Sequence, residues 1–353
     1  MYRFKKNSSV YTNEVLYKYS QMNKPLVLLF SLVFIINIIV PGCTNNKNPL
    51  SGKVICIDPG HGGTAKTDTY RVGPGGEREE WINLRVALKL AEFLKQNDAV
   101  VILTRSTDTI VSLESRAELA IDQDADLFIS IHHNATADST VNFPIIYFHG
   151  NASENLAGVH LGKLIAKKYQ KILYQADTTV GLISDFAIFP LSGTSVLRNS
   201  YGVPGIIGEA SFFSNPQEEQ RLKDEQYNQK EALAYFLAIQ EYFSQPPPNI
   251  LPKHSKIKLP PFEVFQEAER MNPIALQWKE DFEKGSSLAS LNDIDSLIVA
   301  ESLLARSVKY FPDSWLAREA HLKRSEIFKK LGRNSEANTA LTRANEFYIN
   351  VNE

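Results

Sequence analysis

Val54-Ile55-Cys56-Ile57-Asp58-Pro59-Gly60-His61-Gly62-Gly63 decides the reading of this chain. A short β-branched run stopped by proline and glycine reads as a buried strand, and here the strand delivers a histidine onto a glycine-rich turn. Two more runs end in the same manner. Leu127-Phe128-Ile129-Ser130-Ile131 leads into His132, and Gly205-Ile206-Ile207-Gly208 leads into Glu209. Side chains at the ends of neighbouring strands converge on one crevice, and Glu79 lies in the chain between the first two runs. The set is two imidazoles and two carboxylates. Two imidazoles and one carboxylate are the three-ligand set of a catalytic zinc site with an open fourth position, which leaves the remaining glutamate free to act as base. The residues alone support metal-assisted hydrolysis of an amide or ester.

A chain of 353 residues exceeds what one core usually organises, so two domains are expected, and 43% hydrophobic content excludes a mainly disordered protein. The formal net charge of -2 leaves no basic footprint, which argues against nucleic acid as a partner.

The apolar segment from Leu26 to Val40 follows Lys24 and ends in Val40-Pro41-Gly42-Cys43, with the polar stretch Thr44-Asn45-Asn46-Lys47-Asn48 beyond. A positive start, an apolar stretch and a small residue at the cleavage position describe an export signal. It is read as opening at Met22. Its end resembles a bacterial lipobox, with Cys43 as the lipidated residue, although Pro41 departs from the usual small or hydroxylated residue. The alternatives are an uncleaved anchor, for which the run is short of the ~20 residues that span a bilayer, and a plain secreted protein. All three place the catalytic segment in the cell envelope outside the cytoplasm, in the periplasm or at an outer membrane. Cys56 reads as a small buried hydrophobe, and no intrachain disulfide is expected.

From residue 52 to 243, strand runs alternate with amphipathic helices, the signature of an α/β layer fold with a mixed sheet flanked by helices. Strands are expected at Val54–Ile57, Val100–Leu103, Leu127–Ile131, Pro144–Phe148 and Gly205–Gly208. Helices are expected at Asn83–Leu94, Ser112–Ala120, Leu156–Tyr169 and Gln229–Tyr242. In the first helix Leu84, Ala87, Leu88, Ala91 and Leu94 mark the apolar stripe. Residues 244–261 contain Pro246-Pro247-Pro248, Pro252, Pro260 and Pro261 and read as a semi-rigid linker after the catalytic domain of 52–243 and the signal segment of 1–43. Residues 262–353 show helical spacing without a strand pattern. They are weakly similar to tetratricopeptide hairpins, with about one and a half repeats visible where roughly three are needed to bury a repeat core, so this tail is expected to lean on the catalytic domain or a protein partner.

The Asp-Pro-Gly-His-Gly-Gly turn, Glu79 four residues before Asn83-Leu84, Leu103-Thr104-Arg105, Ser130-Ile131-His132 and Glu209 to Asn215 followed by Pro216 stand in order along the chain. With these motifs the segment from about Val54 to Tyr242 resembles the zinc-dependent N-acetylmuramoyl-L-alanine amidases of the Amidase_3 family. The resemblance implies Zn2+ held by His61, Glu79 and His132, Glu209 as the catalytic glutamate, and peptidoglycan as substrate, cut between N-acetylmuramic acid and L-alanine of the stem peptide. It implies a role in wall turnover or cell separation.

Some positions depart from the family pattern. His133 stands where alanine is usual and competes with His132, though adjacent strand residues point to opposite faces and the register favours His132. Glu77 and Glu80 compete with Glu79. Ala210-Ser211 replaces the frequent Leu-Gly after the catalytic glutamate. Some family members insert a long helical plug before that glutamate, whereas Tyr174 to Arg198 is poor in helix pattern and predicts none. Arg198 reads as a substrate contact by resemblance, with a structural or solvated arginine as the alternative. Two other functions stay open at this point: another zinc peptidase or deacetylase, and an inactive wall-binding lipoprotein.

Overall fold

The computed structural model describes residues 48–352 apart from 68–70, 176 and 292. The export signal and Cys43 lie outside the described residues. In chain order the elements are β1 (Val54–Pro59), α1 (Glu79–Lys95), β2 (Val100–Leu103), α2 (Leu113–Asp122), β3 (Leu127–Asn134), β4 (Ile145–Phe148), α3 (Leu156–Ile172), β5 (Gly181–Ser184), α4 (Ser195–Asn199), β6 (Gly205–Phe212), α5 (Pro216–Leu222) and α6 (Glu225–Tyr242). After the proline-rich stretch come α7 (Glu267–Arg270), α8 (Trp278–Ala289), α9 (Ile294–Tyr310), α10 (Ala317–Lys330), α11 (Asn334–Phe347) and β7 (Tyr348–Ile349).

The strands form one mixed seven-stranded sheet in the order β2-β1-β3-β6-β4-β5-β7. Strands β2, β1, β3 and β6 pair in parallel, β4 runs antiparallel to β6, and β7 runs antiparallel to β5. All five expected strands are present, and the expected α/β class with a helical C-terminal region is the observed one. β5 and the two-residue β7 are additions. The second of these is a strand in the region read as strand-free.

Strand alternation sends one set of side chains to each face. Ile55, Ile57, Ile129, Ile131, Ile146 and Ile206 meet α1, α3 and α6 on one face. The buried stripe of α1 is Ile82, Val86, Ala87, Leu90, Ala91 and Leu94, while Leu84 and Leu88 are only half-buried. Ala87, Ala91 and Leu94 of the expected stripe are thus buried, and Leu84 and Leu88 lie at its flank. The other face presents Cys56, Phe128, Ile145, Tyr147, Ile183 and Ile207, and these pack with Trp278, Leu297, Leu304, Phe311 and Phe347 from the C-terminal helices. The tail helices thus share a core with the sheet, and α8 packs on α9 as α10 packs on α11.

The proline-rich stretch is tied to the start of α3. The Glu154 carboxylate accepts from the backbone N–H groups of His254, Lys256 and Ile257 at 3.0, 2.7 and 3.2 Å, and Tyr201 donates to the carbonyl of Leu251 at 2.7 Å. Among the described residues no helix is long and apolar enough to cross a membrane.

Candidate metal centre and active site

The turn after β1 places three successive residues in the left-handed region: His61 at φ 58°, Gly62 at 124° and Gly63 at 67°. Glycine adopts this conformation without strain, but a histidine does so only when the surroundings enforce it. Two arginines do the enforcing. Arg116 donates to the carbonyls of Pro59 and His61 at 2.8 and 2.6 Å, and Arg105 donates to those of Pro59, Gly60 and Glu80 at 2.8 Å each. Arg116 also binds Asp58 at 2.6 Å, and Thr104 and Ser130 donate to the same carboxylate at 2.6 and 2.7 Å. Burial alone would raise the Asp58 pKa, but Arg116 and these hydroxyls hold it below the usual carboxylate range.

Glu79 is the first residue of α1, where a carboxylate also suits the positive end of the helix dipole. Its side chain spans both histidines. Oε2 lies 3.1 Å from His61 Nε2, Oε1 lies 3.0 Å from His132 Nδ1, and Asn83 donates to Oε1 at 3.2 Å. The two imidazole rings stand edge to face, 4.7 Å apart. Burial works to raise the Glu79 carboxyl, yet the imidazoles of His61 and His132 hold it well below its ordinary pKa. Burial lowers His132 in turn, favouring the neutral ring that binds metals.

One candidate ligand atom from each of His61, Glu79 and His132 lies within 4.8 Å of the others. Two imidazoles and a carboxylate in one cluster, with neutral histidine and ionised glutamate favoured, fit a divalent zinc-type ion.

The rivals point elsewhere. His133 is fully buried on the opposite face of β3, between Asn83 Oδ1 at 2.8 Å and Glu231 Oε2 at 3.1 Å. Glu80 pairs with Arg78 at 2.6 Å, and Glu77 with Arg85 at 2.9 Å.

Glu209 pairs in register with His132 across β3 and β6, so both side chains leave the sheet on the same face. Glu209 is partly exposed, but its Oε2 is buried without a hydrogen-bond partner. Burial, together with the charges of Glu79, Glu267 and Asp313, raises its carboxyl well above the ordinary range, against the opposing pull of Arg270. The cluster and Glu209 line one cavity of about 630 Å³. Arg198 lines it too, donating to Ser192 Oγ at 2.9 Å and the Gly193 carbonyl at 3.1 Å. Among the described residues, Tyr174 to Arg198 carries β5, a 3-10 turn at Asp185–Ala187 and most of the five-residue α4.

The family described as N-acetylmuramoyl-L-alanine amidase, Amidase_3, matches residues 55–241, more than half of the chain. The chain belongs to the Amidase_3 family. This Amidase_3 chain is 32% identical over 206 residues to the probable cell wall amidase LytH of Staphylococcus aureus, which covers 58% of this chain and 64% of that relative. It therefore spans less than two thirds of LytH. It also resembles the solved N-acetylmuramoyl-L-alanine amidase AmiC2 of Nostoc punctiforme, at 27% identity and a TM-score of 0.47 over 55% of this chain and 99% of that one. The CwlD amidase of Clostridioides difficile, solved in complex with the GerS lipoprotein, gives the same identity, TM-score and coverage.

Sequence reasoning did not single out Arg116, and it cited Arg105 only as part of a motif. An arginine on an amphipathic helix ordinarily reads as solvated, so only the orphan carbonyls of a left-handed turn could have pointed to Arg116. The wall built by Phe265, Gln266, Glu267 and Arg270 was also missed, because these residues follow the proline-rich stretch.

Proposed function

We propose that this chain is an extracytoplasmic, zinc-dependent N-acetylmuramoyl-L-alanine amidase that acts on peptidoglycan during wall turnover or cell separation. The observation that carries this reading is the His61, Glu79 and His132 cluster, set in the cavity with Glu209 inside the family-matched segment. His61, Glu79 and His132 would hold the ion, which when bound polarises the scissile carbonyl and acidifies water to a pKa of about 7.

The remaining chemistry belongs to the chain. Glu209, with Oε2 unpartnered, accepts a proton from the attacking water and passes it to the departing L-alanine amine. Burial raises its carboxyl, which makes the carboxylate a stronger base for the water proton. Asp58, Arg105 and Arg116 fix the turn that aims His61. Arg198, which donates to Ser192 and Gly193 at the cavity, serves as a substrate contact.

The export signal and lipidation at Cys43 place the enzyme at a membrane surface facing the wall. Leu291 after α8 and Ile294 and Ile298 on α9, which are 61%, 68% and 54% exposed, offer a surface for a protein partner.

Product analysis tests the reading. Purified sacculi incubated with the zinc-loaded chain should yield stem peptides with free L-alanine amino termini and glycan bearing free lactyl carboxylates. New D-amino acid termini with the muramoyl amide intact would instead establish a peptidase. Sacculi bound without any release would establish a non-catalytic wall protein.

A further inference from the structure

The cavity beside Glu209 is walled in part by residues beyond the family-matched 55–241. Gln266 donates to the Ile188 carbonyl at 3.2 Å, Arg71 Nη2 meets Glu267 Oε2 at 2.7 Å, and the Phe265 N–H donates to the Lys309 carbonyl at 2.8 Å. Arg270 ends α7 and faces the same cavity. Only 6% exposed, it stacks 5.2 Å over the Phe311 ring and brings Nη2 to 2.8 Å from Asp313 Oδ1. Tyr147, on the sheet face that carries Glu209, donates its hydroxyl to the other oxygen of Asp313. Arg270 is thereby held in place from behind.

Its charge is balanced on one side only. Arg270 Nε and Nη2 are buried and make no hydrogen bond, Nη2 meeting Asp313 Oδ1 only as an ion pair, and Glu209 Oε2 likewise has no hydrogen-bond partner. A buried N–H donor without an acceptor is costly, and Arg270 and Glu209, the residues that carry this orphaned donor and acceptor, both line the cavity. Guanidinium carries donors and no acceptor, so a carbonyl or carboxylate oxygen of a bound stem peptide would satisfy it.

We propose that Arg270, supplied by the C-terminal region, is a substrate-binding residue that holds an acceptor oxygen of the stem peptide while Glu209 faces the scissile amide. This rests on the amidase reading above. The helical region is then a structural part of the active site as well as a surface for partners.

The test uses the full chain with three changes: Arg270→Gln, Arg270→Lys, and Arg270→Gln combined with Asp313→Asn, which removes both members of the buried ion pair. KM and kcat are measured on a muramoyl-L-alanyl dipeptide with a free C-terminal carboxylate and on its carboxamide. The Kd of the released L-alanyl dipeptide is measured by calorimetry on both zinc-loaded and metal-free chain. Loss of Arg270 should raise KM and Kd by about tenfold or more, the range for a hydrogen bond to a charged group, with kcat changed only a few-fold. Arg270→Lys keeps a charge against Asp313 but has no Nε–H, and it should fall between. If both dipeptides weaken alike, the partner oxygen is a carbonyl; if only the acid weakens, it is the carboxylate.

Unchanged KM and Kd in the Lys variant and in the folded double variant would overturn the proposal, as would a loss confined to kcat. If the wild-type chain binds the dipeptide through Arg270 yet cleaves no muramoyl amide, the amidase reading fails and this assignment stands. Cleavage that ignores Arg270 gives the reverse.

Discussion

Replacing Gly60 by alanine would place a methyl carbon 2.2 Å from Cε1 and Nε2 of His132 and 2.6 Å from its Cδ2. Carbon contacts settle at about 3.5 to 4.0 Å, so the ring must retreat by about 1.3 Å or more, or the turn must move. Neither has room. The His132 ring is held at Nδ1 by Glu79 at 3.0 Å, and Gly60 is fixed by its N–H to the Ile131 carbonyl at 2.9 Å and by Arg105 and Asn83 donating to its own carbonyl at 2.8 and 3.2 Å. Metal ligands tolerate displacements of roughly 0.2 Å, several times less than the shift demanded. Zinc affinity should therefore fall by at least the roughly 10- to 100-fold seen when supporting partners of a ligand are lost, and overpacking should cost about 1–3 kcal/mol of stability. Gly60, unlike Gly62 and Gly63, does not occupy the left-handed region, so alanine is permitted by the backbone and the loss arises at the ring. The assay is zinc content after dialysis against buffered free zinc, with amide cleavage measured on the same samples. A Gly60→Ala chain with one zinc and wild-type turnover would refute the steric argument and the place of His132 in the centre.

Glu209→Gln keeps the shape of the site but cannot take a proton, so cleavage should fall by roughly 10²–10⁴-fold while zinc content stays near that of the wild type; equal loss of metal would make Glu209 a ligand instead. Arg116→Met strands the buried Asp58 carboxylate and frees the carbonyls of Pro59 and His61, and removing one partner of a buried pair costs about 3–5 kcal/mol. A denaturant midpoint shift equivalent to under about 1 kcal/mol would contradict that role. His321 is fully buried in the C-terminal helices, and burial together with Arg324 and Arg343 pushes its pKa well below the ordinary value. The unfolded chain then binds a proton that the folded chain refuses, so stability is full above the unfolded pKa of about 6.5 and is lost as pH falls below it. The melting temperature should drop between pH 7 and pH 5, and by less in His321→Phe; an equal drop in both would count against it.

The strands β1, β2, β3, β4 and β6 were legible because β-branched runs bounded by glycine or proline announce themselves locally. β5 is a four-residue segment opened by Gly181, and β7 is two residues at the end of α11 that pair with Leu182 and Ile183 from far along the chain, so neither carries a local signal. For α1 the period and three of the five stripe positions were right, but Leu84 and Leu88 have the same spacing as Ile82 and Val86 and only packing separates the two pairs. The grouping of His61, His132 and Glu209 around one cavity was readable because each stands at a strand end or a glycine turn. It was hidden where an ordinary arginine acquires its task from tertiary placement, as with Arg116 against the turn and Arg270 across the cavity. The proline-rich stretch read as a spacer by composition. In the fold its backbone donors satisfy Glu154, a demand visible only in three dimensions.

Anomalous scattering at the zinc edge from crystals of the zinc-loaded chain tests the central claim most directly. The account predicts a single strong peak in the cavity, about 2.0–2.2 Å from one atom each of His61, Glu79 and His132, with Glu209 outside the protein ligand set. A peak held by His133 or Glu80, or no peak with the His61 and His132 rings turned apart, would contradict it.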